Sequence, residues 1–287
     1  MIEIIRPGPL TTIQDLGRPG MAALGVGPSG AADRRSAALA NRLVGNENTA
    51  ACLETTYGGL SVRFTRLARV AVTGAPCPIT RDGRDEAMNA PFTVHSGQTV
   101  TLGRPASGLR SYLAVRGGIG VEPVLGSRST DVLSGVGPPA LAAGTRLPIG
   151  ADSASWATVE VAPVAPPPRG ELELRVVPGP RDDWFTPETR ELLTSARYTV
   201  TADSNRVGAR LDGPALTWNR HEELPSEGTV TGAIQVPPSG LPVIFLADHP
   251  VTGGYPVLGV LVSDDIPVAA QATPGQSIRF RRYSVRR

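Results

Sequence analysis

Every apolar run in this chain is short, and nearly every one is stopped by glycine or proline. There are 33 glycines and 28 prolines among 287 residues, about a fifth of the chain. Such punctuation excludes long helices and favours many short strands joined by turns. Alternating or β-branched runs occur at 60–64, 69–73, 98–102 and 111–115. They recur at 173–177, 198–201, 243–247, 257–262 and 277–280. Arg81-Asp82-Gly83-Arg84 carries the Asp-Gly signal of a tight hairpin.

Two helices stand out against this background. Asp33 can cap one running to about Leu43, with Ala37, Ala40, Leu43 and Val44 on one face and Gly45-Asn46 as a stop. Thr186 can cap another, with Pro187 in its first position, running to about Ser195. The proline-rich stretch 161–170 is a stiff connection between two strand-rich halves, 1–160 and 171–287, between which strands can be exchanged. Two barrel-like units with a helix each are the expected architecture. A faint internal echo supports duplication: the residues 95–102 resemble 273–280.

All 28 basic residues are arginine, with no lysine. This excludes a Walker lysine on a phosphate, a Schiff-base lysine and a biotinyl-lysine on this chain. Net charge is +2, and the arginines are scattered except for a tail of Arg279, Arg281, Arg282, Arg286 and Arg287, so no nucleic-acid surface is expected. Cys52 and Cys77 lack metal or redox spacing, and His95, His221 and His249 lie far apart, so no metal site is expected. Met1 to Arg6 lacks a signal-peptide profile and no run approaches a membrane span, so a cytoplasmic location is expected.

Gly25-Val26-Gly27-Pro28-Ser29-Gly30 fits the dinucleotide pattern, but no strong strand precedes it and Pro28 removes a loop N–H. A nucleophile elbow at Ser29 fails on its last position, Ala31. Ser29 is either an anion ligand beside the following helix start or a turn residue. The turn from Thr12 to Gly20 packs Gln14, Asp15 and Arg18 together. Either Asp15 and Arg18 pair across the turn, or they form a carboxylate base beside an arginine clamp with Gln14 on an amide. The densest polar and glycine-rich region spans 226–256 and includes Gln235, Asp248, His249, Gly253 and Gly254. It suits either a small polar ligand or hairpin chemistry.

Nine segments in order, TIQDLGRPG (12–20), GVGPSGAAD (25–33), ANRLVGN (40–46), LETTYGG (53–59), RSYLAVRGGI (110–119), GSRSTD (126–131), NRVGARLDG (205–213), TGAIQVPPSG (231–240) and TGGYP (252–256), resemble one family over nearly the whole chain. It is the biotin-dependent carboxyltransferase family, also called allophanate-hydrolase subunit 2-like. The resemblance implies two cyclophilin-like β-barrel domains with few short helices. It implies partner proteins of the 5-oxoprolinase B-like and A-like kinds and ATP-dependent opening of 5-oxoproline to glutamate, with the ATP-binding component left open. In related proteins carboxylate moves from carboxybiotin to urea. Without lysine here, biotin would have to ride on another chain. A third possibility in the family is a non-catalytic regulator that binds a kinase-inhibitor partner. In this frame Asp15 or Asp248 handles protons, and Arg18 or Arg206 holds a carboxylate or phosphorylated oxygen. Gln14, Gln235 and main chain at Gly253-Gly254 orient the amide, and Ser29 joins the substrate-binding set. Met21, Ala32, Val207 and Pro138-Pro139 depart from the family pattern, and these departures bear on substrate more than on fold.

Overall fold

The alternation along the strands decides which side of each sheet is covered. In strand Arg110–Val115, Leu113 and Val115 enter one core, while Tyr112 and Ala114 face a helix. The same parity separates Leu53 from Cys52, and Val70 and Val72 from Ala71. Cys52, Ala71 and Ala114 are small, so the helix can approach the sheet closely.

The computed structural model describes residues 1–151, 159–220 and 222–284. His221, and Arg286 and Arg287 of the basic tail, lie outside the described residues. The chain divides into two units, Met1–Pro19 with Ser29–Pro167, and Gly20–Pro28 with Pro168–Arg287.

The first unit contains two antiparallel sheets. One orders its strands Arg146–Leu147, Ile2–Pro7, Leu60–Phe64, Thr99–Leu102, Ile79–Arg81 and Arg84–Glu86. The other runs Leu10–Gln14, Cys52–Thr56, Arg110–Val115, Ala68–Gly74 and Pro91–Val94. Ile2, Ile4, Val62 and Val100 from the first meet Ile13, Leu53, Val72 and Leu113 from the second in one core. Helix α1, Arg34–Leu43, covers the outer face of the second sheet. Asp33 caps it as the sequence suggests, accepting from the Ser36 amide at 3.0 Å. The chain leaves the helix through Gly45, at φ 77°.

The second unit is a closed seven-stranded barrel: Leu172–Pro178, Val257–Leu261, Ala233–Gln235, Val243–Phe245, Gly208–Asp212, Arg197–Val200 and Ser277–Arg282. Closure comes from a parallel pairing of the first strand with the last, Leu172 opposite Ile278. Alternate residues Leu174 and Val176, Tyr198 and Val200, and Ile278 and Phe280 are buried. Helix α2, Pro187–Ser195, starts at its Thr186 cap. A third helix, α3 (Ile266–Ala270), and a two-stranded ribbon, Glu227–Gly228 with Thr252–Gly253, were not legible in the sequence.

The protein is thus mainly β with few short helices, as expected. The barrel is closed in the second unit, whereas the strands of the first form two sheets over a shared core. The Asp82-Gly83 hairpin forms with both residues at positive φ, 48° and 78°. The internal echo is a real local likeness. Gln98 Oε1 accepts from the His95 amide, and Gln276 Oε1 accepts from the Thr273 amide. Gly97 and Gly275 have matching φ of 86° and 84°, and each turn opens a strand.

Candidate functional site

Strand Leu10–Gln14 ends at the polar turn, and Gly17 at φ 84° turns the backbone so that Asp15 and Arg18 both reach the segment 127–130. Asp15 Oδ1 accepts from Ser127 Oγ and Ser129 Oγ, each at 2.6 Å, and from the Gly17 amide at 2.7 Å. Its Oδ2 accepts from the Arg128 amide at 2.6 Å. Arg18 Nη2 donates to the Ser129 carbonyl at 2.5 Å. Asp15 and Arg18 therefore do not pair with each other; both hold the same loop.

Gln14 and Ser29 converge on the next residue of that loop. Gln14 Nε2 and Ser29 Oγ both donate to the Thr130 carbonyl, at 2.9 and 3.1 Å. Ser29 sits at φ 49° and is buried, while α1 opens only at Arg34, so Ser29 belongs to this cluster and not to the helix start. Three atoms here, Gln14 Oε1, Arg18 Nη1 and Thr130 Oγ1, are buried without a hydrogen-bond partner among the described residues. Each such group costs about 1–3 kcal/mol unless something satisfies it. An acceptor, a cationic donor and a hydroxyl are the complement of a small molecule carrying both an amide and a carboxylate.

Ser127, Ser129 and Thr130 lie in the GSRSTD segment, and sequence reasoning assigns them no role. The available signal was three hydroxyl side chains within four residues. A second buried polar group was also missed. Glu54 accepts from Tyr112 Oη at 2.8 Å and from the Ala32 amide at 2.9 Å, and Tyr112 Oη accepts from the Asp33 amide at 2.7 Å. Burial, reinforced by the negative Glu54 and Asp33, raises the Tyr112 phenol well above its ordinary range and keeps it protonated. Burial likewise raises the thiols of Cys52 and Cys77, which are free.

In the second unit Arg206 and Asp248 are fully buried and face each other. Arg206 Nε and Nη2 donate to the two Asp248 oxygens at 2.8 and 2.9 Å. Proton transfer by Asp248, or ligand capture by Arg206, would require this bidentate pair to open. Gln235 Nε2 donates to the Tyr255 carbonyl at 3.1 Å and packs so closely on Gly253 that a Cβ there would lie 2.5 Å from it. Gly254 is open by comparison, its nearest neighbour for a Cβ being the Leu224 carbonyl at 3.6 Å. His249 stacks on Phe245 with ring centroids 5.7 Å apart, and its Nδ1 lies 3.0 Å from Thr229 Oγ1. No group of three or more metal-binding side chains is found among the described residues, and none of their helices is long and apolar enough to cross a membrane.

The mainly β architecture with its closed barrel agrees with what comparison finds. The chain belongs to the carboxyltransferase domain family, subdomain A and B, which it matches over residues 24–282. Among its relatives, the 5-oxoprolinase C subunit of Escherichia coli is 38% identical, over 99% of this chain and 92% of that protein. The urea amidolyase of Saccharomyces cerevisiae is 34% identical, over 97% of this chain and 16% of that protein. Among solved structures, TTHA0988 superposes with a TM-score of 0.89 at 35% identity and the K. lactis urea amidolyase with 0.92 at 31%. The present chain covers 98% and 99% of itself in these superpositions, but only 55% and 19% of those longer chains.

Proposed function

We propose that this chain is the C-type component of an ATP-dependent 5-oxoprolinase, acting with A-like and B-like partner proteins to open 5-oxoproline to glutamate. The observation that carries this reading is its 38% identity to the E. coli 5-oxoprolinase C subunit across nearly the full length of both. The substrate is a five-membered lactam bearing a carboxylate, and amide resonance makes its unassisted opening slow, which is why ATP is coupled to it. The cluster at Gln14, Arg18, Ser29 and Thr130 suits such a molecule. Arg18 Nη1 would take the carboxylate, while Gln14 Oε1 would accept from the lactam N–H. Asp15 is a positioning residue in this scheme, since its oxygens hold the loop that carries Thr130. Gln235 beside Gly253-Gly254 forms a second candidate contact in the barrel unit. The test is 5-oxoproline-dependent ATP hydrolysis by the A-like and B-like proteins with and without this chain. Turnover that does not depend on the chain would defeat the proposal.

The alternative is transfer of carboxylate from carboxybiotin on another chain to urea or a related amide. The match to the carboxyltransferase family and the likeness to urea amidolyase favour it. Because the chain has no lysine, a streptavidin blot of the purified protein should be blank under either reading. Urea-dependent decarboxylation of a carboxybiotinylated carrier protein in the presence of this chain would favour the alternative.

A further inference from the structure

Most of the sheet face under α1 is covered by small apolar residues, among them Cys52, Ala71 and Ala114. One row of that face is polar instead. Cross-strand register places Thr12 opposite Glu54, Glu54 opposite Tyr112, and Tyr112 opposite Thr73. All four are buried. Burying polar groups is costly unless each is hydrogen-bonded, and apolar residues would make the same helix–sheet contact at lower cost. The bonds of the row lead towards the polar cluster. Thr12 Oγ1 accepts from Gln14 Nε2 at 2.9 Å. Glu54 Oε2 accepts from the Ala32 amide and from Tyr112 Oη, and Tyr112 Oη accepts from the Asp33 amide. Thr73, at the far end, bonds the helix itself, donating to the Ser36 carbonyl at 2.7 Å.

We infer that Thr12 and Tyr112 are positioning residues for the cluster of Gln14, Arg18, Ser29 and Thr130, acting through Gln14 and Ser29. Gln14 Nε2 is shared between Thr12 Oγ1 and the Thr130 carbonyl. A carbonyl can only accept, so the amide is held with its NH2 towards the protein and its Oε1 left for a ligand. The segment after Ser29 is clamped at three consecutive amides: Ala31 on the Asp15 carbonyl at 2.9 Å, Ala32 on Glu54 and Asp33 on Tyr112. Gly30, at φ 97°, presses on the preceding turn, where a Cβ would lie 2.8 Å from the Leu16 backbone. Ser29 holds φ 49°, which a residue with a side chain keeps only where its surroundings over-determine it. The anchors at 31–33 supply that constraint and aim Ser29 Oγ at the Thr130 carbonyl. The inference deepens the 5-oxoprolinase reading and rests on it for the substrate.

Thr12→Val and Tyr112→Phe each remove one buried hydroxyl from the row, and Thr73→Val is the matched control. In the reconstituted complex the first two should raise KM for 5-oxoproline by about tenfold, the order of one misplaced hydrogen bond. Their kcat should stay within about twofold. Thr73→Val should lose a similar melting temperature and keep the wild-type KM, a contrast that a merely structural row would not produce. Wild-type KM in both variants, or an equal rise in the control, would overturn the inference. Should Tyr112→Phe not fold, Thr12→Val alone decides it. Hydrogen exchange on the full chain separates this inference from the choice of substrate. Amides 29–31, ahead of the one that loses its acceptor, should exchange faster in Tyr112→Phe and not in Thr73→Val. If that pattern holds while the wild-type complex ignores 5-oxoproline, the positioning stands and the substrate reading falls. Unchanged exchange at 29–31 in Tyr112→Phe would overturn the positioning whatever the substrate.

Discussion

Asp15 and Ser129 are joined twice: the Ser129 hydroxyl donates to Asp15 Oδ1 at 2.6 Å and accepts from the Asp15 amide at 3.0 Å. The link spans 114 positions of sequence and fixes the loop over which Gln14, Arg18 and Ser29 converge. Asp15→Ala would strand two serine hydroxyls and two backbone amides. A loss of at least about 2 kcal/mol is expected, several degrees of melting temperature for a chain of this size. An unchanged melt would show that the carboxylate is not an anchor.

Thr130→Val separates ligand contact from architecture. The hydroxyl has no partner among the described residues, so removing it should leave stability within about 1 kcal/mol. If Thr130 meets the substrate, 5-oxoproline turnover by the reconstituted complex should show a raised KM. Wild-type kinetics in this variant would place the substrate elsewhere.

Asp248→Ala leaves the buried Arg206 guanidinium without its carboxylate. Breaking such a pair from one side costs about 3–5 kcal/mol. Replacing both at once, Arg206→Met with Asp248→Leu, should recover much of that loss in chemical denaturation. A double variant no more stable than the single one would indicate that the pair does more than fill the core.

Tyr198 lies in the barrel with its hydroxyl unpartnered among the described residues, and burial pushes its phenol up to about 12. The folded value lies above the unfolded one, so this contribution to stability is complete below the ordinary value of 10.0 and is lost as pH rises towards 12. Tyr198→Phe should flatten the fall in stability across that window and cost little at neutral pH. A variant with the same alkaline profile as the parent would refute the assignment.

Local chemistry was readable along the chain because it acts over a few residues. Asp33 and Thr186 cap α1 and α2 through amides three positions ahead, and Asp82-Gly83 meets the φ demands of its turn alone. The short strands followed from the same short-range alternation, and the family from segments that remain contiguous. The site was only partly readable. Gln14, Asp15, Arg18 and Ser29 stand out in the sequence, but their common partner lies more than a hundred positions away, and no spacing rule reaches it. Composition likewise left open which partners Asp15 and Asp248 take. Tertiary structure supplied them, because a buried charge takes whichever partner the folded backbone brings within hydrogen-bond distance. Asp248 thereby meets Arg206 across 42 positions, and Asp15 meets the serines.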